Sequence, residues 1–287
     1  MPLVYSHGCR LHYEVIDLVA PWISNPETVL FNHGLGASGG AWAEWLPFLI
    51  DRYRVVRFDL RGHAASKEGA QSTPLTFDML CDDVIAVADA AGLADFHFVG
   101  ESVGGTIGLT LVTAAPGRFR SLTVSNAAHR GERIESIGHF EQLLRNGGMA
   151  GWSHDMMPKR FYRDTVTEEL WAWYEGNQAS VSPELLMSIV TALVGVDLTA
   201  TLPDIEVPVL LLSGDSSPFI PVTSTAELSE ALSDVELQIL PHARHGVPVS
   251  HAKQCAQTLR LYLDRLSRRN AGQNGTAVKA GAAKPSP

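Results

Sequence analysis

The stretch Phe96-His97-Phe98-Val99-Gly100-Glu101-Ser102-Val103-Gly104-Gly105 joins an apolar run of strand length to the helical run Thr106 to Leu111. Gly-x-Ser-x-Gly between strand and helix is a nucleophile elbow, a turn so tight that the serine backbone is strained and its neighbours two residues away lack side chains. Ser102 is therefore expected at the carboxyl edge of a sheet. There it sits beside a helix N-terminus whose free amides favour developing negative charge.

Outward from the elbow, apolar runs recur at Val29 to Phe31, Val55 to Phe58, Leu122 to Val124, Val209 to Leu212 and Leu237 to Leu240. Their hydrophobicity is continuous rather than alternating, which predicts strands covered on both faces, as in a parallel sheet. Helical spacing appears between them, at Leu80, Val84, Val87 and Ala91, and again at Cys255, Leu259, Leu263 and Leu266. Strand and helix in alternation predict an α/β fold with a mostly parallel central sheet and helices on both faces. From about His129 to Asp204 no strand is legible, and the helix-like stretches are rich in Trp, Met and Leu. The expected organisation is a core of residues 1–128 and 205–268, an inserted helical cap over 129–204, and a disordered tail over 269–287, where apolar residues are too few to offset the entropy of ordering.

The chain has 287 residues, 45% apolar and 18% charged, enough to bury one large core. Its 22 Lys and Arg stand against 31 Asp and Glu, a formal net charge of −9, which argues against a generic electrostatic grip on nucleic acid or on an anionic membrane. No apolar run reaches the roughly 18 residues of a spanning helix, and the first residues lack the pattern of a signal peptide. A cytoplasmic protein acting on small molecules is the expectation. Cys9, Cys81 and Cys255 are far apart and show no metal spacing, so they read as reduced structural thiols. No metal and no cofactor is expected; many proteins of this size are homodimers, and a homodimer is the one assembly the length suggests.

With the elbow in this setting, the chain resembles the α/β-hydrolase fold family over residues 3 to 268. Asn32-His33-Gly34-Leu35-Gly36 is similar to the family's His-Gly loop, and Asp59-Leu60-Arg61-Gly62-His63-Ala64-Ala65-Ser66 to its Asp-x-Arg-Gly-His-Gly-x-Ser loop, with Ala64 replacing a glycine. The resemblance implies an oxyanion hole formed by the amides of Leu35 and Val103. A serine hydroxyl needs a base, and imidazole has the suitable pKa. The last apolar run is followed by Pro241-His242-Ala243-Arg244-His245-Gly246, in which His245 matches the family's spacing and His242 is the fallback.

The acid departs from the family pattern. Where relatives place a carboxylate, Gly214-Asp215-Ser216-Ser217-Pro218 has Ser217. Three resolutions stay open: Asp215 reaches the histidine by a shift of its loop; the group comes from Asn126 after the preceding strand, with Glu132 folding back; or a Ser-His dyad works with Ser217 or water.

A serine at the elbow excludes branches of the family that form an alkyl ester on aspartate. Leu122 to Ala128, the cap, and Asp204 to Pro208 look most like the enol-lactone hydrolases. That resemblance implies a small carboxylic ester or lactone as substrate, with Arg130, Arg133 or Arg160 as a candidate cationic clamp and Trp152 as a candidate wall of the pocket. Two other readings follow from the altered acid: an enzyme acting on a carbon–carbon or thioester bond, or as a lyase or decarboxylase; and a ligand-binding relative that has lost turnover.

Overall fold

The computed structural model describes residues 2–70 and 74–280, with 270–280 as helical backbone alone. One eight-stranded sheet organises it, in the order β1 (Leu3–Ser6), β2 (Cys9–Ile16), β4 (Arg54–Phe58), β3 (Thr28–Asn32), β5 (Phe96–Glu101), β6 (Phe119–Ser125), β7 (Val209–Gly214), β8 (Val235–Leu240). β1, β2 and β4 pair antiparallel, and every other neighbouring pair is parallel. The order reverses at β3, and in open α/β sheets the crevice beyond the strand carboxyl ends at such a reversal is where ligands bind.

Continuous apolar strands have the expected cause. Side chains alternate across a strand, so Leu30, Phe98, Leu122 and Leu211 pack on one face with α1 (Phe77–Ala90) and α2 (Val103–Ala114). Phe31, Val99, Leu210 and Leu212 pack on the other, with α8 (Ala252–Ala280) and the 3-10 helix Gly39–Phe48, whose Trp42 and Trp45 are fully buried. Thr76 caps α1 by accepting the Met79 amide.

The structure departs from the sequence reading at both edges. β1 and β2 form a hairpin at a His7-Gly8 turn, both residues having positive φ, and β2 alternates buried Cys9, Leu11 and Tyr13 with less buried neighbours. β8 pairs only with β7, so Leu237 and Ile239 are exposed where the apolar run suggested cover on both faces.

Between β6 and β7 the regular elements are helices: α3 (Phe140–Arg160), broken by a kink at Gly148, α4 (Glu168–Ala179), α5 (Pro183–Val194) and short 3-10 turns. Then α6 (Val222–Ala231) joins β7 to β8, and α7 (Val247–Ser250) precedes α8. The stretch expected as a disordered tail is helical through Ala280, as a continuation of α8; residues 281–287 lie outside the described part. Among the described residues no helix is long and apolar enough to cross a membrane.

The loop after β4 is welded to α1. Arg61 donates two hydrogen bonds of 2.6 Å to the Asp83 carboxylate, and neither side chain is more than 1% exposed. Burial pushes the Asp83 carboxyl up while Arg61 pulls it down. Asp83→Asn would leave the guanidinium buried without a counter-charge, so it should cost about 3 to 5 kcal/mol of stability, measured by urea unfolding; a loss below about 1 kcal/mol would show that water reaches the pair.

Candidate active site

The elbow has the strained geometry its sequence requires. Ser102 lies at φ 54°, ψ −122° between β5 and α2. A Cβ on Gly100 would fall 2.4 Å from the Gly104 carbonyl, and one on Gly104 2.5 Å from that of Asn32, so neither position accepts a side chain. The turn presents Ser102 to a cavity lined chiefly by Leu35, Ala128, Ile134, Phe140, Val190 and Phe219, with Arg160 and His245 as its ionisable groups.

His245 Nε2 is 3.0 Å from Ser102 Oγ. To accept the serine proton there, the ring must carry its own proton on Nδ1, which faces Ser217 Oγ at 3.0 Å. The third partner is thus a neutral hydroxyl, itself accepting the Ile220 amide at 3.2 Å. Ser217 can select the tautomer and hold the ring, but it offers no charge to an imidazolium. Burial first, and then the positive charge of Arg160, push the His245 pKa well below its ordinary value. The imidazole is therefore neutral and ready as a base, and costly to protonate.

Asp215 does not take the acid's role. Its carboxylate accepts the amides of His242 at 2.9 Å and Ala243 at 3.1 Å and the Ser216 hydroxyl at 2.9 Å, turned toward the backbone that leads to His245 rather than to the ring. The reason is local: the Asp215 amide bonds Leu240 O and the Ser216 amide bonds Ala243 O, which locks the loop against the end of β8. Asn126, at φ 44°, also misses the ring. It donates to His245 O at 2.8 Å and accepts the Gly214 amide at 3.1 Å, so it anchors the histidine's backbone to β7. Glu132 pairs with Arg130 instead of folding back. The fallback His242 points outward, stacked on Tyr162 and paired with Asp164 at 3.0 Å.

The loops after β3 and β4 brace each other through two buried imidazoles. His33 Nε2 accepts the Leu60 amide, which leaves Nδ1–H to donate to Gly34 O at 2.8 Å. His63 Nε2 accepts the Gly36 amide at 3.0 Å. Burial holds His33 at about 4 and His63 at about 3, so both stay neutral. Leu35 reaches the cavity wall, and Val103 opens α2, whose first amides have no intrahelical acceptor.

The expected substrate contacts need correction. Arg130 is engaged by Glu132, and Arg133 donates to Glu227 at 2.8 Å on the surface. Trp152 is fully buried edge-on to Phe140, 5.4 Å between centroids, and packs the cap rather than lining the cavity. Of the three candidate arginines only Arg160 faces the cavity, donating to Gln178 Oε1 at 3.2 Å and Leu35 O at 2.8 Å. The aliphatic walls from Ile134, Ile137 and Val190 were not picked out from sequence; Phe219 and Ile220 had a signal, since they follow Ser217 on the loop at the sheet's carboxyl edge.

Residues 27–168 match the family model described as alpha/beta hydrolase fold. The chain belongs to the α/β-hydrolase family. This α/β-hydrolase is 29% identical over 246 residues to the "Putative carbamate hydrolase RutD" of Caulobacter sp. (strain K31), covering 79% of this chain and 87% of that one. It is 29% identical over 272 residues to the protein of the same name from Variovorax paradoxus (strain S110), covering 90% and 97%. The crystal structure of the enol-lactonase from Burkholderia xenovorans LB400 superposes with a TM-score of 0.82 at 25% identity, over 92% of this chain and all of that one.

Proposed function

We propose that this α/β-hydrolase cleaves a small carboxylic ester or lactone through an acyl-enzyme on Ser102. The observation that carries the reading is His245 Nε2 lying 3.0 Å from Ser102 Oγ at the wall of an apolar cavity. Ser102 Oγ attacks the carbonyl carbon while its proton passes to His245 Nε2. The carbonyl oxygen takes the negative charge and is received by the amides of Leu35 and Val103. Collapse breaks the bond to the leaving oxygen, which recovers the proton from His245; a water then repeats the sequence and releases the acid. Arg160 is the cationic clamp for a carboxylate carried by the substrate. The name of the RutD relatives adds carbamates to the substrate classes to be tried, because attack on their carbonyl follows the same course.

Incubation with a fluorophosphonate at neutral pH followed by peptide mass mapping should place the adduct on Ser102. Absence of labelling there would overturn the proposal.

The neutral Ser217 supports a second reading, a pocket that binds its ligand with little turnover. Saturable stabilisation by a ligand, with hydrolysis no faster than in Ser102→Ala, would identify it.

A further inference from the structure

Glu101 is the one residue of the elbow that the reaction above leaves without a task. It immediately precedes the nucleophile, is completely buried, and turns its carboxyl toward the loop after β3. Its Oε2 accepts the Gly34 amide at 3.3 Å, while its Oε1 has no hydrogen-bond partner among the described residues. Arg160, also buried, reaches the same loop from the cap and donates to Leu35 O at 2.8 Å. His33 Nδ1 donates to Gly34 O at 2.8 Å, which also accepts the Ala37 amide at 3.1 Å.

Along this loop, then, the N–H of Gly34, the C=O of Gly34 and the C=O of Leu35 are each held by a different side chain. The Leu35 N–H shares its peptide plane with the Gly34 C=O that His33 holds, the Glu101 and Arg160 bonds hold the planes on either side of it, and it is the group the proposed reaction requires. We propose that Glu101, working with Arg160, is a positioning residue that sets the oxyanion donors: it ties the Leu35 loop to the elbow that carries Val103, so the two amides keep one separation.

This inference rests on the serine-hydrolase reading. A preorganised donor contributes only if it is already aimed where charge develops, and a short glycine-rich loop has little rigidity of its own. A carboxyl this close to the oxyanion would oppose the developing charge if it stood alone. Arg160 supplies the opposite charge, and burial raises the Glu101 pKa against the pull of Arg160 and the Gly34 bond.

The test uses the full-length protein, a neutral chromogenic ester and a trifluoromethyl ketone, which adds to the serine and places its oxygen where the oxyanion forms. In Glu101→Leu, kcat should fall by about 10²-fold, the scale of one lost donor, with KM within about 3-fold and the ketone weakened by the same factor as kcat. Glu101→Gln keeps an acceptor for the Gly34 amide, so it should stay within about 10-fold of wild type in kcat and in ketone affinity. Thermal midpoints report folding separately. If Glu101→Leu does not fold, Arg160→Met on the same neutral ester should show the same loss in kcat and ketone affinity. Unchanged kcat in the variant that folds, a loss confined to KM, or a Gln variant as impaired as the Leu variant would each overturn the inference while wild-type turnover stands. A wild-type protein that neither turns over the ester nor forms the ketone adduct overturns the hydrolase reading, and this inference with it.

Discussion

Ser102→Ala should lower kcat/KM on the best ester by about 10⁴-fold while leaving the fold intact. A triad with a charged acid loses on the order of 10⁶-fold in turnover when its serine is removed. The decrease expected here is smaller because this site starts without the carboxylate. Nucleophile and base act as a unit, so Ser102→Ala combined with His245→Ala should be little worse than either alone. Alanine at 102 retains the unfavourable positive φ of 54° and gains no side-chain contact, so stability should change by less than about 1 kcal/mol. Steady-state hydrolysis with circular dichroism on the same samples checks both parts. Residual activity within about 10-fold of wild type would mean that Ser102 is not the nucleophile.

Ser217→Asp should raise kcat by about 10- to 100-fold and move the acid limb of the pH profile upward. Replacing the acid of a serine-protease triad by its amide costs about 10⁴-fold, much of it because the histidine is held in the wrong tautomer. Ser217 already holds the productive tautomer, 3.0 Å from Nδ1, so the gain is confined to the charge term. The sign of the pH effect follows from which form works. In the proposed reaction the neutral imidazole is the base, and burial together with Arg160 keeps its pKa well below the ordinary value, so wild-type activity should persist into mildly acid solution. A carboxylate beside Nδ1 favours the imidazolium and raises that pKa. The variant should therefore gain most near pH 8 and lose its advantage as pH falls. A profile of kcat/KM against pH for both proteins reads this directly. No gain at pH 8, with an unmoved acid limb, would show that position 217 has no electrostatic hold on the base.

The two variants probe parts of the site that differed in how far sequence could see them. The elbow was legible because its chemistry and its backbone are one constraint. Gly100 is excluded from bearing a side chain by the Gly104 carbonyl that the turn itself folds back, and Gly104 by the Asn32 carbonyl at the end of the neighbouring β3, so the motif and its conformation come together. His245 was legible through its place after the last strand. Its partner was not, because three residues on two loops, Asp215 and Ser217 after β7 and Asn126 after β6, were within reach of the ring in sequence terms. Hydrogen bonds from Asp215 to the His242 and Ala243 amides, and from Asn126 to the His245 carbonyl, removed two of them.

The arginines show the same limit. Arg130, Arg133 and Arg160 look alike in composition, yet two are engaged by Glu132 and Glu227 and one faces the cavity. Trp152 and its neighbours carried a strong helical apolar pattern, and such a pattern reports burial without saying whether core or pocket does the burying. Edge strands were the weakest part of the fold reading. β1 and β2 alternate instead of running continuously apolar, and β8 is apolar without being covered.

By itself the sequence determined the alternation of strand and helix, the sharp turn bearing Ser102, the late histidine and the absence of a carboxylate at position 217, because each is written in local spacing and residue type. The tertiary structure decided which neutral group meets the imidazole, which arginine faces the cavity, and that Glu101 turns back onto the Leu35 loop. Those outcomes depend on where separate loops converge above the sheet, and that convergence is set by packing across the whole core rather than by any one segment.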